Sequence, residues 1–151
     1  MAENIRQFVE FKLGDEDYGI DILQVKTIER MMPITRVPKA PQFVEGVINL
    51  RGEIVPVIDL KKRFDLPLSE TTDSTRIVIV SIDDITVGMI VDSATEVIQL
   101  SQDDIEPAPS ITGSIDANYL DGVGKIDGRL LILLNVAKLL KPQEINQLAQ
   151  I

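Results

Sequence analysis

Chemistry in this chain would have to come from carboxylates, Lys, Ser, Thr or Tyr, because its 151 residues include no Cys and no His. Disulfides, thiolate or imidazole nucleophiles, triads and zinc fingers are excluded outright. The pairs Asp83-Asp84 and Asp103-Asp104 are the plainest carboxylate candidates. Adjacent side chains on a strand point to opposite faces and in a turn they face water, so both pairs read as turn formers. Gly122-Val123-Gly124 lies inside a hairpin pattern instead of opening a helix, which does not meet the dinucleotide-loop pattern. Arg51 stands apart, at the tip of a tight hairpin, beside Gly52 and between apolar strands. Turn composition allows an ordinary exposed residue there. Arg is also enriched among the anchors of protein interfaces.

The elements that position these residues are mostly short strands. Val9-Glu10-Phe11-Lys12-Leu13 alternates with the period of a half-buried strand, and Tyr18 to Ile22 alternates again after the turn residues 14–17. Further hairpins are expected from Val47 to Leu60 turning at Arg51-Gly52, and from Arg76 to Val91 turning at Asp83-Asp84. A fourth is expected between Val123 and Leu134, turning at Asp127-Gly128. Pro56 inside a strand suggests an edge or a bulge. Pro41 to Glu45, closed by Gly46, reads as a single helical turn. Asn135 is placed to cap a helix carrying Val136, Leu139 and Leu140, with Pro142 ending or restarting it and a last short helix over 144–150.

Composition narrows the partners. A net charge of −9 repels phosphate backbones and anionic lipid, so neither nucleic acid nor a membrane surface is an expected ligand. Lys61-Lys62-Arg63, the densest basic run, reads as a solvated face. With no Trp, four Phe and two Tyr, the core must be built from Val, Ile and Leu. The N-terminus lacks the basic-then-apolar run of a secretory signal, and no apolar stretch approaches the roughly 20 residues that span a bilayer. A cytoplasmic location is expected.

The chain repeats itself. Residues 46–60 lie on 122–136 without a gap, at an offset of 122 minus 46, or 76. Both glycines match, and Asp59 falls on Asn135, the same kind of helix cap. Val9, Phe11, Leu13, Tyr18, Gly19 and Ile20 fall on Val78, Val80, Ile82, Val87, Gly88 and Met89 at an offset of 69. An insertion in the second half explains the growth from 69 to 76. Two copies of one β-unit of about 60 residues would each be marginal alone, so they must pack tightly or exchange strands.

Residues 43–60, with Asn49-Leu50-Arg51-Gly52 at the tip, closely resemble the signature of the CheW family of bacterial chemotaxis coupling proteins. Residues 14–23, 105–109 and 119–124 continue the likeness, which runs from about Gln7 to Leu140. The resemblance implies a mainly β fold of two intertwined five-stranded barrels of the Src-homology-3 kind, pseudo-duplicated, with short helices and a C-terminal helix. It makes 1–151 one CheW-like domain, divided near 20–70 and 76–141 with terminal strands exchanged. It implies a non-enzymatic adaptor without cofactor or metal, binding the cytoplasmic tip of methyl-accepting chemoreceptors and the regulatory domain of the histidine kinase CheA, and recruited to receptor arrays through them. Family positions sensitive for coupling match Val25, Gly46, Arg51, Gly88, Val97 and Gly122. Arg51 and Val25 are assigned to direct contact, and the glycines to shaping the backbone beneath it. Ile28, Val47 and Ile48 join the candidate surface by adjacency, with core burial the competing reading for each. Thr27 stands where many members carry Glu.

Without the resemblance, two rivals stay open: a carboxylate-dependent enzyme, which needs converging acids in a polar pocket, and a ligand-binding barrel, which needs a closed apolar cavity.

Overall fold

Every expected hairpin forms. The computed structural model describes residues 5–107 and 119–149. Along them run β1 (Ile5–Leu13), β2 (Glu16–Asp21), a 3-10 turn (Ile22–Gln24), β3 (Val25–Arg30), β4 (Val44–Leu50), β5 (Glu53–Asp59) and α1 (Leu60–Arg63). Then come β6 (Arg76–Ile82), β7 (Ile85–Val91), β8 (Ser93–Ser101), a 3-10 turn (Gln102–Asp104), β9 (Ile105–Glu106), β10 (Leu120–Ile126), β11 (Arg129–Leu134) and α2 (Pro142–Ala149). Three of the tips carry consecutive left-handed residues: Arg51 and Gly52 at φ 50° and 90°, Asp83 and Asp84 at 46° and 67°, Asp127 and Gly128 at 47° and 78°. That conformation matches the twist of the flanking strands in two-residue hairpins.

The strands build two sheets, in the orders β8-β1-β2-β11-β10-β9 and β3-β6-β7-β5-β4. The first hairpin of each repeat is inserted into the sheet of the other. The joints are the parallel pairs β2–β11, with Gly19 opposite Leu133, and β5–β7, with Val57 opposite Gly88. The sixth strand of the larger sheet, β9, has two residues, and its pairing of Glu106 with Val123 has a counterpart in the bridge between Thr35 and Val47. Each sheet is therefore five strands plus one short bridge.

The repeat extends further than its sequence showed. Between β1 and β8 the register skips Thr95, and between β6 and β3 it skips Lys26; 95 minus 26 is 69. The same bulge recurs in both copies. At the bridges the offset is 106 minus 35, or 71, so two inserted residues precede β9 and five follow it.

Packing follows the exchange. Ile48, Val55, Val57, Ile77 and Ile79 fill one sheet's own core; Phe8, Ile98, Leu100, Leu131 and Leu133 fill the other's. The largest cluster includes residues of both sheets, among them Phe11, Tyr18, Ile20, Ile58, Val78, Met89 and Leu134. Phe11, Tyr18, Phe64 and Tyr119 run through it as a ladder with ring centroids 5.6, 6.3 and 5.8 Å apart.

Four expectations need correction. Pro41–Glu45 is no helix: Val44 N–H reaches only Pro41 O at 3.0 Å, and Val44 enters β4 opposite Ile58. After Asn135 there is only a 3-10 turn, Val136–Lys138, before Pro142 opens α2, since Pro cannot donate to a continuing helix. The expected end of that last helix at Gln150 lies outside the described residues. Pro56 sits in an interior strand, tolerated because its partner Val47 turns both backbone groups to Thr35 and the β7 ladder starts at Val57. Lys61 and Arg63 are not a solvated face. Lys61 is 5% exposed, its ammonium on Asp92 at 2.6 Å, and Arg63 grips Glu144 with both guanidinium nitrogens at 2.8 and 2.6 Å.

Candidate functional site

The candidate residues divide between the sheets. Val25, Ile28, Gly46, Val47, Ile48, Arg51 and Gly88 belong to the β3-β6-β7-β5-β4 sheet, or to the Arg51-Gly52 tip between its β4 and β5; Val97 and Gly122 belong to the other sheet.

Arg51 projects from the β4–β5 tip with its side chain 67% exposed, and one guanidinium nitrogen lies 3.3 Å from Glu29 on β3. β3 and β4 are the opposite margins of their sheet, so this pair joins two edges that no ladder hydrogen bond connects. The nearby Thr27 side chain and then the Arg51 guanidinium lower the Glu29 carboxyl below its usual range, though the Thr27 hydroxyl makes no direct hydrogen bond among the described residues. Asn49 fixes the tip by accepting from Gly52 N–H at 2.8 Å. Glu29 was not singled out in the sequence; its strand alternation marks it only as one of several acidic residues.

Ile28 and Val97 are copies of one another, 97 minus 28 being 69, and they are 43% and 48% exposed. Their cross-strand partners, Val78 and Val9, are buried. In-register partners share a face. Each member of the pair is therefore an uncovered apolar side chain beside a buried one on the same face of its sheet. A second duplicated pair, Ile54 and Leu130, is 58% and 62% exposed just past the two tips. The 76-residue offset could have found it.

Val25 is half-buried at the edge of the shared core, opposite Val80. Val47 is half-buried on the Thr35 bridge, and Ile48, 1% exposed, is a core residue. The glycines act through space. A Cβ on Gly46 would stand 2.4 Å from Thr35 O, and one on Gly122 2.6 Å from Glu106 O, so each bridge strand crosses where only a hydrogen fits. Gly88 is less constrained, because its added Cβ would meet the methyl of Ile77 at 2.9 Å.

The acid pairs gather no chemistry. Asp83 and Asp84 form a turn and Asp103 and Asp104 lie in a 3-10 turn. Among the described residues no three carboxylates are grouped to hold a metal ion. Among those residues, too, no helix is long and apolar enough to cross a membrane.

The arrangement is one of paired apolar positions and a charged tip on a duplicated frame. The model of the CheW-like domain matches residues 7–144. The chain belongs to the CheW family. Its relatives include the chemotaxis protein CheW of Treponema pallidum, 39% identical over all of this chain and 92% of that one. CheW of Bacillus subtilis is 41% identical over 85% of this chain and 83% of its own. CheW of Helicobacter pylori is 40% identical over 92% and 84%. Among solved structures, the scaffolding protein TtCheW from Thermoanaerobacter tengcongensis superposes with a TM-score of 0.84 at 39% identity, covering 92% of this chain and 90% of that one. The CheW fold explains the exchanged hairpins and the mainly β content together.

Proposed function

We propose that this chain is a non-enzymatic chemotaxis adaptor that couples methyl-accepting chemoreceptors to the histidine kinase CheA. It works in the cytoplasm and reaches the membrane through its partners. The observation that supports this most is the duplicated pair Ile28 and Val97, apolar side chains left uncovered on two different sheets, with Arg51 beyond one of them. An adaptor needs separate surfaces on one rigid body; uncovered apolar side chains mark such surfaces, and Arg is enriched among their anchors. Division near 20–70 and 76–141, with the hairpins exchanged, gives each partner its own half. Val25, Ile28, Val47, Arg51 and Val97 form the contact surface. Gly46, Gly88 and Gly122 hold the backbone beneath it, and Ile48 acts from the core.

The test is reconstitution of receptor and CheA with and without this protein, read as kinase activity. Receptor control of the kinase should require the protein. Arg51→Ala should weaken receptor coupling while the thermal midpoint moves by less than the equivalent of about 1 kcal/mol, because an exposed ion pair contributes little. Coupling that is unchanged in Arg51→Ala removes the Arg51 assignment; receptor control without the protein removes the function.

A further inference from the structure

One basic site lies outside the contact surface proposed above. Eight of the chain's fifteen basic residues are ion-paired among the described residues. Of the remaining seven, Arg36 and Lys39 line one cavity of about 380 Å³ together with Lys62. Lys62 is held by Glu45 at 2.5 Å. Pro41 and Val44 are among the residues of its wall. Three cations against one carboxylate make this a positive pocket on a chain of net charge −9.

The loop that carries it is built stiff. Pro33, Pro38 and Pro41 fix three φ angles, and Thr35 is tied to Val47 by reciprocal hydrogen bonds of 2.9 Å. Lys39 is held at φ 64°, a left-handed conformation that costs a side-chain-bearing residue free energy. Ala40 N–H closes the turn on Val37 O at 3.2 Å. The turn aims a strained, exposed lysine at the same opening as Arg36; among the described residues neither is in an ion pair, the Glu45 carboxylate of the cavity being engaged by Lys62.

We propose that this pocket docks an acidic peptide segment of a protein partner, its carboxylates meeting Arg36 and Lys39 and displacing Glu45 from Lys62. The prediction stands independently of the receptor–kinase reading, because it concerns a loop none of the coupling candidates occupies.

Hexaglutamate, with hexaglutamine and inorganic phosphate as controls, should be titrated into the isotopically labelled full chain and followed by amide NMR. Hexaglutamate alone should shift the amides of 36–45, and more weakly as salt rises from about 50 to about 200 mM. The double variant Arg36→Glu/Lys39→Glu should bind about tenfold more weakly, two attractions having become repulsions. Glu45→Gln, which frees Lys62, should bind about threefold more tightly, a gain that no misfolded variant would give. Equal shifts with phosphate would make it a simple anion site, and shifts absent or unchanged in the variants would remove it; either result overturns the proposal.

Discussion

At the scale of single residues, space decides more than charge. Gly46 and Gly122 sit at positive φ, 157° and 154°, and each face a backbone carbonyl that cannot move without breaking a strand bridge, whereas Gly88 has no such φ and meets only side chains, Ile77 first. Gly46→Ala or Gly122→Ala should therefore cost about 2–4 kcal/mol, and Gly88→Ala clearly less, measured by urea denaturation. Equal costs at all three would show that the carbonyl approach is not the constraint. Tyr18 tells the opposite story. It is fully buried, its hydroxyl has no hydrogen-bond partner among the described residues, and burial followed by the charge of Glu16 pushes its pKa up. Tyr18→Phe keeps the stacked ring and removes the unsatisfied oxygen, so stability should rise by about 1 kcal/mol. A lower melting point in that variant would mean that the hydroxyl is satisfied after all.

At the scale of elements, ion pairs place the two short helices. Arg63 on α1 donates to Leu139 O at 3.0 Å and to both oxygens of Glu144 on α2, and its guanidinium lies over the rings of Phe43 and Tyr119. Glu144 also accepts from Lys141 N–H at 2.8 Å, closing the first turn of α2. Burial by itself would raise the Glu144 pKa; Arg63 and that N–H outweigh it, and the carboxyl titrates below its ordinary 4.5. The sign is that of a depressed acid: the contribution is fully present above the unfolded value and is lost as pH falls through the folded one. The docking of α2 should hold at pH 6 and weaken below about pH 4, visible as lower amide protection in residues 143–149 once each rate is divided by the intrinsic exchange rate at that pH. Glu144→Gln should show that loss of protection already at pH 6. Protection that ignores both pH and the substitution would assign the docking to Ile145 and Leu148 alone.

At the scale of the molecule, exchange of hairpins makes one cooperative body of two copies. Each sheet needs β-strands from both halves, and the shared core takes side chains from each. Residues 1–70 and 76–151 made separately should each be unfolded by circular dichroism, and mixing them should recover strand content; a half that folds alone would contradict the exchange. Much of this was legible beforehand. Period-two alternation, turn residues and two constant offsets determined the hairpins, the duplication and the caps Asp59 and Asn135, because these depend on neighbours along the chain. The tip at Arg51-Gly52 was legible for the same reason, whereas Ile48, counted with the candidate surface by adjacency, is a core residue. Sequence reading misplaced Pro41–Glu45, whose helix signals yielded to the pairing of Val44 with Ile58, and it left Lys61 and Arg63 in solvent. Only the folded chain decided that Glu29 meets Arg51, that Ile28 and Val97 are equivalent, and that Arg63 finds Glu144 81 positions away. Those contacts depend on how strands distant in the chain lie side by side, and alternation along a strand carries no record of which strand will be its neighbour.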